Sequence, residues 1–516
     1  MTQMNRRTLL ISAASIVGVG GLALVATKTA TGPMSGMGNM DMGNMDMKGM
    51  NMGGSATATG ERIVDLPVGK PLPEFSKLAN NSTVTGVFEA TLDAGPSHHE
   101  FVPGIKTEVL AYNSTIPGSM IEVMEGDKFK VTFHNLIEEQ DSTIHWHGLE
   151  VPPDQDGNPT HPVASGASRI YEFTIPEGSA GSYWYHPHPH GKTAEQVYRG
   201  LAAPFIVKSK SDPLPPELGD TTLFISTISL NANGAIADNT PPDLWNGREG
   251  DHVLVNGAKQ PVLTLAPGSS RRFRLYNATN GRFLKLSFEG HNMTLIGTDG
   301  GLLASPVPEM QELLLAPAER AEVVVDFDYK VGTHSLVSTP HERGWMGGNK
   351  PAAETLKLLT INLEGPIARK TAMPQKLRDI AELGQHAATK RIEISETMGM
   401  ANGGMTMGFL LDGKTFDMNR VDLSSKLGDV ELWEIANKAD MDHPFHIHGG
   451  QFQIVGREKD GKAVPSPYLA WKDTVNIARG ETVRLNIRQA MAGKRMYHCH
   501  ILEHEDQGMM GTLDVA

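Results

Sequence analysis

The chain has 516 residues, 39% hydrophobic and 20% charged, with 55 Gly and 32 Pro. That length suits two to four domains and that Gly and Pro content suits turn-rich β structure, which excludes a small stapled peptide, a coiled coil or a multi-span membrane protein. With 46 Lys plus Arg against 59 Asp plus Glu, the net charge of -13 opposes nucleic acid and anionic membranes as partners and favours cations.

In chain order, Arg6 and Arg7 precede an uncharged stretch from Leu9 to Ala26, and residues 1–30 resemble a bacterial twin-arginine export signal. The stretch is near the minimum length of a permanent membrane anchor, but Gly18, Gly20 and Gly21 lower its hydrophobicity, so export to the periplasm or another extracytoplasmic space is expected. Leu9 and Leu10 depart from the Phe and Lys that such signals favour, which leaves the route open. Residues 31–59 form a Met-rich tail in which eight methionines, Met34 to Met52, alternate with Gly, Asn and Asp. The pattern has no helical period and too little bulk for a core, so it reads as a flexible linker. Its thioethers, with Asp41 and Asp46, could capture Cu(I); a low-complexity spacer is the other reading.

Beyond the tail, a short turn, a Pro or hydrophobic element, a Gly turn and an alternating strand ending in Asn recur at Asn113 to Asn135, at Asn256 to Asn277 and more loosely at Asp412 to Asn437. Their spacing is about the length of one β-sandwich, so three tandem sandwiches are expected in an all-β chain. The expected divisions are 60–210, 211–365, a linker at 366–390 where Pro366 and Pro374 interrupt the strand pattern, and 391–516. Strand signals at Arg169 to Ile175, Ala321 to Phe327 and Thr482 to Ile487 support this organisation.

Ten of the 20 histidines fall in four clusters: His145 and His147; His186 and His188; His443, His446 and His448; and His498, His500 and His504, the last enclosing Cys499 and followed by Met509. On a strand, residues two apart share a face, so each His-x-His pair can offer two imidazoles to one metal cluster. Within His498-Cys499-His500 the imidazoles face one way and the sulfur the other, so one strand can serve two sites. Cys499 with His443, His504 and Met509 supplies a thiolate, two imidazoles and a weak thioether, the ligand set of a blue-copper centre, and the other eight histidines suit a three-copper cluster. Any single pair would also suit zinc or an ordinary surface, but zinc does not explain ten His, one Cys and one Met in two distant halves.

These motifs, HWHGLEVPPDQDG at 145–157, WYHPHPHGKTAEQV at 184–197, HPFHIHG at 443–449 and HCHILEHEDQGMM at 498–510, resemble the multicopper oxidase family over almost all of the chain from about residue 60. Within it the chain is most similar to bacterial copper efflux oxidases and laccase-like enzymes. The resemblance implies three cupredoxin domains and four copper ions. His443, Cys499, His504 and Met509 would hold type 1 copper, His145 and His446 type 2, and His147, His186, His188, His448, His498 and His500 the type 3 pair. It implies an oxidase that couples four one-electron oxidations of a reductant to reduction of O2 to water, with Asp156 and Glu505 assisting proton transfer and Cys499 passing electrons inward. The reductant expected is Cu(I), in copper tolerance, with phenols or aromatic amines as further substrates and Fe(II) possible through surface carboxylates. Met398, Met400, Met405 and Met407 stand where that group carries a longer methionine-rich insert, and Met441 and Asp440 lie beside the type 1 motif. Ala439 stands where that group has an acidic residue, so a rearranged substrate site is expected. His98, His99, His190 and His291 are given no role. The alternative is a non-enzymatic periplasmic copper-binding or scaffold protein of the same fold; a copper nitrite reductase would leave the type 3 ligands without purpose. Oligomeric state is not readable.

Overall fold

The computed structural model describes residues 61–516 except 64, 402 and 403, and no side chain from 401 to 405. The signal-like segment 1–30 and the tail 31–59 therefore lie outside the described residues. Six sheets stand in three successive pairs: four plus four strands, six plus five, and six plus five.

The sequence repeat is visible in how each pair is wired. Strands Lys128–Asn135, Ser270–Asn277 and Val430–Asn437 are the alternating strands of the three repeats, and each pairs in parallel with the first long strand of its unit: Val87–Val102, Asp220–Ile228 and Ala388–Ala401. Period-two alternation fixes which face is buried: Phe129, Val131 and Phe133 point into the first core and Trp433 and Ile435 into the third, while the intervening residues stay partly exposed. The repeats begin on Asn113, Asn256 and Asp412, all with φ near +50° (46°, 53° and 51°), a left-handed conformation that Asn and Asp tolerate best among residues with a side chain.

The closing asparagines explain the other end of the motif. Asn135, Asn277 and Asn437 are buried; each donates its side-chain amide to one carbonyl of the following loop and to a second carbonyl 28, 38 and 40 residues away, and accepts from a backbone N–H two residues on. In the third unit those carbonyls belong to Met441 and Ile477, so Asn437 sets the loop that delivers strand His443–Ile447.

The expected strands are found as Ser168–Thr174, Arg320–Asp326 and Glu481–Arg488. Helices are confined, among the described residues, to short pieces; none is long and apolar enough to cross a membrane. Two of them, Thr193–Tyr198 and Leu502–Asp506, touch where the first and third units meet, and Trp184, Val197, Phe224, Tyr276 and Leu502 from all three units share one buried cluster.

Candidate metal centres

Strand Gly493–Cys499 and strand His443–Ile447 are sheet neighbours, and their register sets His446 beside His498 and Phe445 beside Cys499. The chain alternates, so Cys499 faces the apolar core of the third unit while His498 faces the other side. There Cys499 Sγ lies 3.3 Å from His443 Nδ1 and 4.0 Å from His504 Nδ1, all fully buried. His504 donates from Nε2 to the carbonyl of Trp245 at 2.9 Å and stacks on Phe409, 3.8 Å between ring centroids, so both its tautomer and its tilt are set by neighbours. Met509 is completely buried in the same cluster, and its carbonyl accepts from the Cys499 N–H. Burial pushes the Cys499 thiol up. Such a thiol becomes a thiolate when a cation supplies the compensating charge.

On the other face, eight imidazoles converge between the first and third units. Register places His145 opposite His186. Strands end at His186, Ile447 and Cys499, so His188, His448 and His500 stand just beyond strand ends rather than on them as the sequence pattern suggested. At His188 the cause is Pro187, which has no N–H to continue the ladder.

Ring tautomers follow from the partners, because a carbonyl only accepts. His145, His186, His446 and His498 donate from Nδ1 to the carbonyls of Asp156, Pro187, Asp473 and Cys499, which leaves each Nε2 a bare lone pair. These lone pairs meet: His145 Nε2 is 3.4 Å from His446 Nε2, and His498 Nε2 is 3.1 Å from Nε2 of His448, whose Nδ1 faces the Asp156 carboxylate; His188 Nε2 also lies 3.2 Å from His498 Nε2. The His147 ring is reversed, with Nε2 toward the Asp473 carboxylate and Nδ1 3.4 Å from His186 Nε2. His500, whose ring centroid is 4.9 Å from that of His147, has no hydrogen-bond partner on either nitrogen. Lone pair against lone pair, and a buried imidazole with no partner, are each unfavourable unless cations lie between them. Burial, reinforced by neighbouring imidazoles, holds His147, His186, His188, His446, His448 and His500 well below the usual histidine range, and burial takes His498 down to about 3. Neutral imidazole is the metal-binding form, and a cluster of borderline nitrogen donors beside a thiol and thioether fits copper.

The two expected carboxylates stand at this cluster. Asp156 is a turn residue and yet fully buried: its Oδ2 is 3.0 Å from His448 Nδ1 and its Oδ1 3.2 Å from His145 Nδ1. Gly157, at φ +70°, makes that turn possible, because a Cβ there would run into the carbonyl of Ile144. Glu505 lies 3.3 Å from His188 Nε2 and 3.2 Å from His498 Nδ1. Burial pushes both acids up, and Asp506 adds to the effect on Glu505.

The remaining sequence candidates lie toward the thiol site. Met398 and Met400 are 56% and 76% exposed on the hairpin Ala388–Ala401 to Gly404–Leu411, where register sets Met398 opposite Met407 and Met400 opposite Met405. Met407 is half-buried against the core that holds Cys499, two residues before Phe409, which stacks on His504. Asp440 is exposed; Met441 is completely buried in that core.

Sequence reading missed Glu396, which accepts from the Asp440 N–H at 2.6 Å and is pushed up to about 7 by burial. It also missed Glu503, which binds the Arg248 N–H and the Asn280 amide, and Asp506, which accepts from the N–H groups of Thr193 and Ala194. The run of acids after His498 was the available signal, but nothing local told which of them turned inward.

Multicopper oxidase family models match residues 94–212, 227–361 and 390–516. A multicopper oxidase of Staphylococcus haemolyticus is 33% identical over 86% of this chain and 90% of its own length. A laccase of Bacillus subtilis is 28% identical over 89% and 99%. Among solved structures, a Campylobacter jejuni multicopper oxidase described as a metallo-oxidase is 42% identical, covers 89% of this chain and 98% of its own, and superposes with a TM-score of 0.83. Its relatives share the cupredoxin-type sandwich, and the converging imidazoles beside a buried thiol are what a copper enzyme of this kind requires. This chain therefore belongs to the multicopper oxidase family and is a copper-dependent oxidoreductase.

Proposed function

We propose that this protein oxidises Cu(I), and secondarily phenols or aromatic amines, with O2 as the electron acceptor, in the service of copper tolerance. In this reading His443, Cys499, His504 and Met509 hold type 1 copper; His145 and His446 hold type 2; and His147, His186 and His500 with His188, His448 and His498 hold the type 3 pair, four ions in all. Bound copper would supply one-electron acceptance at the thiol and four-electron reduction of O2 to two waters at the histidine cluster. The observation that carries this reading is the set of inward-facing lone pairs one residue away from a buried thiol on the same strand.

The chain's own part is to connect, hold and supply protons. Cys499 is covalently joined to His498 and His500, so the two centres are separated by a single residue step. Four protons must accompany four electrons, and Asp156 and Glu505, both within 3.3 Å of cluster imidazoles, are the acids positioned to pass them. Burial of the eight histidines excludes bulk water from the place where O2 would be reduced.

A metal ion as reductant is supported by the exposed methionines and by the similarity to the Campylobacter jejuni enzyme, itself described as a metallo-oxidase. Thioethers favour Cu(I), and the hairpin carrying Met398, Met400, Met405 and Met407 leads through Phe409 to His504, with Glu396 and Asp440 at its base. The tail from Met34 to Met52 would raise the local concentration of the same ion, and the Arg6-Arg7 segment would deliver the protein to the periplasm. A scaffold role is disfavoured because all twelve candidate ligands are retained and buried. The test is Met398→Ala with Met400→Ala: the KM for Cu(I) should rise about tenfold while the KM for a phenol stays within about twofold. Equal change for both substrates would contradict the metal-ion assignment.

A further inference from the structure

The middle unit contributes no imidazole to either centre, yet one of its side chains reaches the histidine cluster. Arg320, 1% exposed, lies on strand Arg320–Asp326 of the middle unit and forks onto Asp473 of the third, Nη1 to Oδ1 at 2.7 Å and Nη2 to Oδ2 at 2.6 Å. Its remaining donors go to the carbonyls of Ser182 in the first unit and of Ala318 and Asp299 in its own, so all five N–H groups are used and all three units are tied at one point. Lys472 joins the same cluster, 2.7 Å from Asp299 Oδ2 and 3.3 Å from Glu319 Oε1.

Asp473 in turn meets the reversed imidazole. Its Oδ1 is 3.1 Å from His147 Nε2 and accepts the Thr474 hydroxyl at 2.8 Å, while its main-chain carbonyl accepts from His446 Nδ1. A carboxylate committed to a two-pronged Arg is not free to act as a metal ligand itself; it is an acceptor that obliges His147 to carry its proton on Nε2 and so turn Nδ1 inward. Gly148 follows His147 for the same reason: at φ +90° it has no Cβ, and one built there would fall against Asp473 Oδ2 and Arg320 Nη2.

We infer that Arg320 and Asp473 form a positioning pair through which the middle unit fixes the orientation of His147 and thereby the geometry of the histidine copper cluster. The inference rests on the copper assignment proposed above. It gives the middle unit a part in oxygen chemistry beyond that of a spacer, and it predicts a defect confined to one centre, because neither residue touches Cys499, His443 or His504.

The test compares Asp473→Ala, Asp473→Asn and Arg320→Lys in the copper-loaded full chain by copper content, visible absorption of the thiolate centre, electron paramagnetic resonance of the histidine cluster, and turnover. Asp473→Ala should lower copper in the histidine cluster and turnover by about 10- to 100-fold, the range of lost outer hydrogen bonds to metal-binding histidines, with thiolate absorption per chain retained. Asp473→Asn keeps an oxygen acceptor for His147 and should recover most of the copper and resonance signal. Arg320→Lys keeps the charge but not the fork, and should perturb the resonance signal while leaving the thiolate band unchanged; this arm stands even where Asp473→Ala yields no folded protein. An unchanged resonance signal in Arg320→Lys, or parallel loss of both centres in Asp473→Asn, would overturn the inference. Absence of copper from the histidine cluster of the unaltered protein would instead overturn the copper assignment.

Discussion

The two centres share a strand but are built differently. The thiol site takes all four of its candidate ligands from one segment, His443 to Met509, inside the core of the third unit. The histidine cluster joins His145 to His188 of the first unit with His446 to His500 of the third, and its supporting contacts reach Arg320 of the middle unit. The first needs the third unit to fold, with the Trp245 carbonyl of the middle unit set against His504; the second also needs the first and third units to dock. Damage at the thiol should therefore leave the histidine cluster assembled, and damage at the contacts between the first and third units should leave the thiol site coloured.

The largest separation of the two is expected from Cys499→Ser. The hydroxyl is a poor soft ligand, so the visible thiolate absorption should vanish and turnover should fall by at least about 1,000-fold. The resonance signature of the histidine cluster should persist, and its loss would show that the two sites do not assemble independently. The converse comes from Asp156→Asn and Glu505→Gln. Each keeps the shape and one acceptor oxygen but removes a proton carrier, so turnover should fall by about 100-fold with the thiolate band intact. Stopped-flow reduction of the thiol site, expected to be unchanged, separates this from an effect on electron entry. The smallest effect belongs to Gly157→Ala. A Cβ at that left-handed position meets the Ile144 carbonyl, so unfolding free energy should drop by roughly 1–3 kcal/mol in denaturant titrations, with loss of copper from the histidine cluster before loss of the thiolate band. Simultaneous loss would contradict the local-versus-docked distinction.

How much of this was legible in the sequence follows the same division. The pair at 145–147 and the opposite faces of His498 and Cys499 could be read because strand alternation is a local rule, whereas His448 and His500 lie just past strand ends and His504 on the helix Leu502–Asp506. The repeat beginning on Asn113, Asn256 and Asp412 could be read because left-handed turns select Asn and Asp. Contacts between single charged residues far apart in the chain could not. Arg320 looks like any strand residue, Asp473 like any turn acid, and their pairing over 153 positions leaves no spacing pattern to find. The turn at Asp156 shows the opposite limit: DQDG announces a turn correctly, but turn chemistry alone gives no sign that the aspartate is buried between two imidazoles. Met441 was singled out by its place in the motif, whereas its burial makes it part of the wall of the thiol site and leaves exposure to Met398 and Met400.

The most direct test of the proposed activity is the stoichiometry of the copper-loaded protein supplied with Cu(I) under limiting O2. Consumption of about four Cu(I) per O2, with no hydrogen peroxide released, is the result predicted for a thiol entry site feeding a histidine cluster that completes the reduction. Release of peroxide at about two Cu(I) per O2, or no oxygen uptake by protein carrying copper at both centres, would contradict it.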